Sequence, residues 1–122
     1  MLNREEAKRA YKEMPKPAGV FQIKNLRNGK LYLGSSLNLN GPINRAKFEL
    51  KMGMHRCKAL QNEWNESGAE NFSFDILEVI EVKNDPDFNL TDELTLLEEI
   101  WLEKLQPFGE KGYNADSKIR QA

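Results

Sequence analysis

Residues 18–35 read Ala-Gly-Val-Phe-Gln-Ile-Lys-Asn-Leu-Arg-Asn-Gly-Lys-Leu-Tyr-Leu-Gly-Ser, and this stretch decides the architecture. Residues 18–25 and 30–35 alternate in polarity, as half-buried strands do. Between them sits Leu26-Arg27-Asn28-Gly29. An Asn-Gly step tolerates the positive φ of a tight turn, so the stretch is a β-hairpin.

Downstream, Asn38, Asn40, Gly41 and Pro42 form a turn and then a helix start, since proline is pre-set for the first helical position. The helix runs to about Met52, with Ile43, Ala46 and Leu50 on its inner face, and Gly53 ends it. A second helix is expected from about His55 to Glu66, with Leu60 and Trp64 stacked four apart and Ser67-Gly68 closing it. Residues 72–82 alternate and are partly β-branched, a third strand. Residues 83–90, polar with Pro86, form an exposed loop. Thr91 or Asp92 can cap a helix over about 93–105, which Pro107 and Gly109 end. Upstream, Ala7, Ala10 and Tyr11 lie at helical spacing in a charged arm over residues 3–13, stopped by Pro15 and Pro17. The expected division is an N-terminal helical arm over 1–17, one domain over 18–115 and a frayed tail over 116–122. The fold class is α+β, a small three-stranded antiparallel sheet flanked by helices.

The chain has 122 residues, 39% hydrophobic and 30% charged, a composition for one polar-surfaced globular domain. No stretch nears the roughly 20 apolar residues of a membrane span. The start, Met1-Leu2-Asn3-Arg4-Glu5-Glu6, lacks a signal peptide's apolar run, so an intracellular, cytoplasmic protein is expected. A single cysteine, Cys57, and a single histidine, His55, exclude an internal disulfide, a multi-cysteine zinc site and a His-rich metal centre. Cys57 reads as a buried thiol rather than a nucleophile. The net charge of −1 hides an asymmetry. Residues 1–58 carry 13 Lys and Arg against 4 Asp and Glu, and residues 59–122 carry 5 against 15. A basic half suggests a polyanion or an acidic partner.

Several residues point to chemistry. On the last helix Leu94, Leu97, Trp101 and Leu105 make an apolar stripe, and Glu98 falls inside it while Glu99 and Glu103 do not. A carboxylate on a buried face is costly unless paired or metal-bound; the alternative is a Glu at the stripe's edge, swung out to solvent. Tyr32 is either a packing residue of a half-buried strand or a phenol that handles a proton. Gly34, inside a strand, permits close approach of another group. Arg45, Lys47, Lys51, His55, Arg56 and Lys58 form either a solvated basic face or a phosphate-binding surface. His55 is a cap, a surface residue or a general acid or base. Asn114, after Gly112-Tyr113, can satisfy a turn. Ser35-Ser36 lacks the partners that activate a serine nucleophile. There is no Gly-rich phosphate loop and no dinucleotide fingerprint.

In order, these blocks resemble the GIY-YIG nuclease family. Gly19-Val20-Phe21 stands for its first signature tripeptide and Tyr32-Leu33-Gly34 for the second. Ser35-Ser36-Leu37-Asn38-Leu39 resembles the turn that follows. Gly53-Met54-His55, then Leu60-Gln61-Asn62-Glu63-Trp64-Asn65 and Gly68, resemble the second-helix block of the homing-endonuclease-like branch. Phe72 to Glu78 resembles its third strand, Leu97-Glu98-Glu99-Ile100-Trp101-Leu102 its metal-ligand helix, and Gly112-Tyr113-Asn114 its terminal motif. The resemblance spans roughly residues 18–115 and implies a stand-alone catalytic domain of that fold.

It also implies a mechanism. Glu98 would bind one Mg²⁺ or Mn²⁺ that polarises the scissile phosphate. Tyr32 would assist deprotonation of the attacking water, an arginine would stabilise the pentacovalent phosphate, His55 would position or relay a proton, and Asn114 would support the site. Lys47, Lys51, Arg56 and Lys58 would meet nucleic acid. Three positions depart from the pattern. Phe21 replaces the first signature tyrosine. Pro42 sits at the family's helix arginine, leaving Arg45, one turn on, to take that role. Ala46 sits where many members carry histidine, either as a small core residue or as the mark of an inactivated variant. The expected activity is metal-dependent DNA hydrolysis by an endonuclease. No DNA-recognition segment follows the catalytic blocks, so low sequence specificity, or a preference for DNA structure or single strands, is expected. Two rivals are a non-catalytic nucleic-acid-binding module on a degenerate nuclease fold and a protein-interaction domain whose basic half meets an acidic partner.

Overall fold

A computed structural model describes residues 17–115. The expected arm over 3–13 and the tail from 116 lie outside the described residues. The chain runs β1 (Gly19–Asn25), β2 (Leu31–Ser36), α1 (Asn40–Met52), α2 (Lys58–Ser67), a 3₁₀ turn (Ala69–Asn71), β3 (Phe72–Val79), α3 (Leu90–Leu105) and a second 3₁₀ turn (Gly109–Lys111). The strands form one antiparallel sheet in the order β2-β1-β3. The expected α+β class and three-stranded sheet are what the chain adopts.

The hairpin closes where the Asn-Gly step puts it. Asn25 N–H donates to Lys30 O at 2.9 Å, Gly29 N–H donates to Asn25 O at 2.8 Å, and Gly29 holds φ 79°. Asn25 is 1% exposed. Its Oδ1 accepts from Arg27 N–H at 2.9 Å, and its Nδ2 donates to Glu63 of α2 and to the Tyr113 hydroxyl at 3.2 Å each. The turn, α2 and the C-terminal segment thus meet on one buried amide, whose polar atoms must be paired to be tolerated there. Burial raises the Tyr113 phenol to about 12, so it stays a neutral member of this network.

β1 alternates from Phe21 onward, with Phe21, Ile23 and Asn25 buried and Gln22 and Lys24 half-buried; Val20, on the other face, is buried as well because the strand is central and α3 packs against it. On one face Phe21 and Ile23 join Leu39, Ile43, Ala46, Leu50, Leu60 and Phe72 in the core. α3 packs against β1 and β2.

Three boundaries differ from the sequence expectation. β3 ends at Val79 rather than residue 82: Ile80 N–H still reaches Ala18 O at 2.8 Å, but beyond Ala18 the partner strand gives way to Pro17. α2 starts at Lys58 rather than His55. Cys57 is extended, and its N–H bonds to the His55 side chain instead of entering a helical turn. α3 starts at Leu90 and is capped by Asn89, not by Thr91 or Asp92; Asn89 Oδ1 accepts from Asp92 N–H at 3.0 Å. α1 ends at Met52 before Gly53, as expected.

Gly19 lets β1 lie against β3 at the register shift between Val20 and Phe21. A Cβ at residue 19 would stand 2.0 Å from the Glu78 carbonyl oxygen, a fixed backbone atom. Gly19→Ala is expected to destabilise the domain by about 1–3 kcal/mol. Urea unfolding should show a lower midpoint with an unchanged slope.

Candidate active site

Cross-strand pairs set the first wall of the site. Phe21 opposes Gly34, and Ile23 opposes Tyr32, so these four residues share the sheet face that α1 covers. A Cβ at residue 34 would lie 2.6 Å from the Phe21 ring, so glycine lets that ring sit flat across β2. Tyr32 is half-buried beside it.

α1 and the segment after it close the pocket. Phe21, Tyr32, Pro42, Arg45, Ala46, Glu49, His55 and Arg56 line a cavity of about 240 Å³. Ala46, 6% exposed, belongs to the core and also borders this cavity. His55 is 5% exposed, and its ring meets Tyr32 edge-on, with centroids 5.8 Å apart and planes at 89°. Burial pushes the His55 imidazole below its ordinary value; Glu49 opposes that shift and Arg56 adds to it. Burial thus works against the charged imidazolium. Arg45 and Arg56 are exposed and form no ion pair among the described residues, which leaves both guanidinium groups free for an anion.

A groove of about 480 Å³ adjoins the cavity, lined by Ser35, Ser36, Asn38, Gly41, Pro42 and Arg45. Pro42 and Arg45 border both. Glu98 enters from the opposite face of the sheet. It is half-buried in the apolar stripe, with Leu94 buried and Leu97, Trp101 and Leu105 half-buried, while Glu99 and Glu103 are exposed. The Ser35 hydroxyl donates to Glu98 Oε2. The carboxylate is thus neither core nor free surface. It is tied to the end of β2, beside the groove.

Asn114 lines neither space. Its Oδ1 accepts from Leu33 N–H and its Nδ2 donates to Leu33 O, both at 2.8 Å. Together with Tyr113 N–H on Leu31 O at 2.8 Å, this occupies the outer edge of β2 on either side of Tyr32. Lys47, Lys51 and Lys58 are exposed and outside the cavity. Lys47 Nζ lies 5.2 Å from the centre of the Phe74 ring, a cation–π contact directed away from the cavity.

The structure therefore brings together Tyr32, Arg45, Ala46, His55 and Arg56, sets Glu98 at the adjoining groove, and uses Asn114 as a strut. Sequence reasoning missed three contributors. Ser35 reads as a serine without an activating partner in the turn after the second signature tripeptide, and neither feature marks it as the partner of Glu98. Glu49 sits one turn after Arg45, a spacing that signals a shared helix face. Gln61 is 5% exposed and holds the His55 backbone, but in a run of polar helix residues nothing marks it.

No family model and no curated protein matches the chain. Solved structures do. The catalytic domain of homing endonuclease I-TevI is 32% identical over 81% of this chain and 99% of that one, with a TM-score of 0.63. An alanine variant of the catalytic domain of intron endonuclease I-TevI is 30% identical, over 80% of this chain and 92% of that one, with a TM-score of 0.63. The hairpin signature, the helix-borne glutamate and the terminal Gly-Tyr-Asn lie on that same fold, across almost the whole length of that domain, and the chain belongs to the GIY-YIG nuclease family.

Proposed function

We propose that this chain is a metal-dependent DNA endonuclease that hydrolyses phosphodiester bonds, with a preference for single strands. The observation that carries this reading is one cavity bordered by a phenol, an imidazole and two guanidinium groups that form no ion pair among the described residues, joined to a groove beside a tethered carboxylate. These are the groups that phosphoryl hydrolysis requires: an aid to water deprotonation, donors for developing charge, and an anchor for a cation.

Each residue takes a role from its position. The Tyr32 hydroxyl assists deprotonation of the attacking water. Arg45 takes the phosphate-stabilising role that Pro42 cannot fill, since the guanidinium stands at the junction of cavity and groove and forms no ion pair among the described residues. Arg56, with Lys47, Lys51 and Lys58 further out, neutralises neighbouring phosphates. Asn114 positions Tyr32 through the Leu33 backbone.

Among the described residues no three His, Cys, Asp or Glu side chains cluster to hold a metal. Glu98 with the Ser35 hydroxyl is a small, all-oxygen donor set. That fits Mg²⁺ or Mn²⁺, hard cations that keep several waters and take further oxygens from the substrate phosphate. A cation bound there supplies polarisation of the phosphate and charge stabilisation of the leaving oxygen.

The single-strand preference rests on the size and charge of the surface. A short basic face on a chain of net charge −1 tracks one backbone better than it grips a duplex. Binding should fall steeply with salt. No helix among the described residues is long and apolar enough to cross a membrane.

Phe21 and Ala46 favour the second reading, a nucleic-acid-binding module without catalysis. Cleavage of labelled single- and double-stranded DNA with Mg²⁺ or Mn²⁺, run beside an Ala46→His variant, separates the two. Cleavage of single strands by the unaltered chain is expected. Cleavage by the histidine variant alone would mark this chain as a disabled nuclease, and binding without cleavage by either would favour the module.

Glu98→Gln keeps an oxygen for Ser35 and removes the charge. It should abolish metal-dependent cleavage and leave oligonucleotide binding near its original level; a fully active variant would sink the metal-ligand assignment. Arg45→Ala removes an exposed side chain, so stability should change by no more than about 0.5 kcal/mol. Cleavage should nonetheless fall about a hundredfold or more, measured by initial rates at saturating metal.

A further inference from the structure

His55 is the one histidine in the chain, and the backbone around it dictates where its proton sits. Cys57 N–H donates to His55 Nδ1 at 3.0 Å. A backbone N–H is only a donor, so Nδ1 must offer its lone pair, and the neutral ring then carries its proton on Nε2. The backbone of the same residue is held as firmly. His55 N–H donates to Gln61 Oε1 at 3.0 Å, while Gln61 Nε2 donates to Leu50 O and Asn65 Oδ1, both at 3.0 Å. The Leu50 carbonyl is only an acceptor, so the Gln61 amide cannot reverse. Nε2 has no partner among the described residues. It is the nitrogen left for the cavity that His55 borders with Tyr32, Arg45, Glu49 and Arg56.

We infer that His55 acts as a neutral hydrogen-bond donor, from Nε2–H to a non-bridging phosphate oxygen, and not as the base. The identity of the anion rests on the nuclease reading. The proton stays on Nε2 throughout, and no bond to it breaks. Deprotonation of water then falls to Tyr32, which lines the same cavity. A donor here also replaces part of what a proline at position 42 withholds from the phosphate. Protonation at Nδ1 would forfeit the Cys57 bond, and the burial that lowers the affinity of the ring for a second proton acts in the same sense.

Long-range ¹H–¹⁵N correlation on the tag-free, labelled full chain at pH 7.5 gives a single imidazole pattern, because there is one histidine. The expected pattern has Nε2 protonated and Nδ1 bare. Adding thymidylyl-thymidine should move the Nε2–H signal. A proton on Nδ1, or an even mixture of tautomers, overturns the inference. A second arm uses single-stranded oligonucleotide binding without metal. His55→Ala should weaken it about tenfold, and His55→Gln, which keeps a donor near the place of Nε2, should recover most of that loss. Equal losses in both variants overturn the inference. The Nε2–H pattern together with the Gln/Ala difference, in a chain that cleaves no DNA, would remove the nuclease reading and leave the donor role standing.

Discussion

The register of β1 against β2 is the constraint on which the site depends. Side chains alternate across a strand, so a slip of one residue would carry Tyr32 to the opposite face and bring Leu33 into the cavity. Three separate contacts exclude that slip. The Asn28-Gly29 turn sets the length of the hairpin loop. The Phe21 ring needs a residue without a side chain opposite it, which Gly34 supplies. Asn114 reads the Leu33 backbone on the outer edge, where both its amide atoms are matched. An edge strand with free N–H and C=O groups is prone to wrong pairing, and the C-terminal segment removes that freedom here.

The same register divides the candidate machinery between the two faces of the sheet. Phe21 and Tyr32 look toward α1, and Ser35 looks toward α3. Cavity and groove meet around the end of β2, at Pro42 and Arg45. The phenol and the imidazole therefore lie in a small, half-enclosed space beside the Phe21 ring, whereas the carboxylate stands at a more open groove. That separation keeps Glu98 away from the imidazole and the phenol, so its charge does not compete with a phosphate for them. It also leaves water free to complete the coordination of a cation there.

Charge follows the same geometry. Of the basic residues before position 58, Arg45, Lys47, Lys51 and Arg56 stand on α1 and the segment after it, and Arg45 and Arg56 border the cavity. The acidic second half places Glu99 and Glu103 on the exposed side of α3, away from the buried stripe. The near-zero net charge is thus the sum of a basic first half and an acidic second half of the chain.

Sequence by itself determined the elements and their order. The Asn-Gly turn, the Pro42 helix start, the Gly53 stop and the apolar stripe of α3 are local signals, carried by residues within a few positions of one another. Glu98 was legible for the same reason, because helical periodicity alone puts it among Leu94, Leu97 and Trp101. Tertiary structure decided the rest. The burial of Val20 on the face opposite Phe21 follows from the central place of β1 in the sheet, which no local pattern encodes. The end of β3 follows from where its partner stops at Pro17. The role of Ser35 follows from contact with Glu98, 63 residues away, and that of Asn114 from contact with Leu33, 81 residues away. The proton of His55 is placed by Cys57, only two residues on, yet the ring's use of it depends on a cavity walled by a strand and a helix. Local sequence limits which backbone states are open; which polar group meets which is a question of packing, and packing joins residues far apart in the chain.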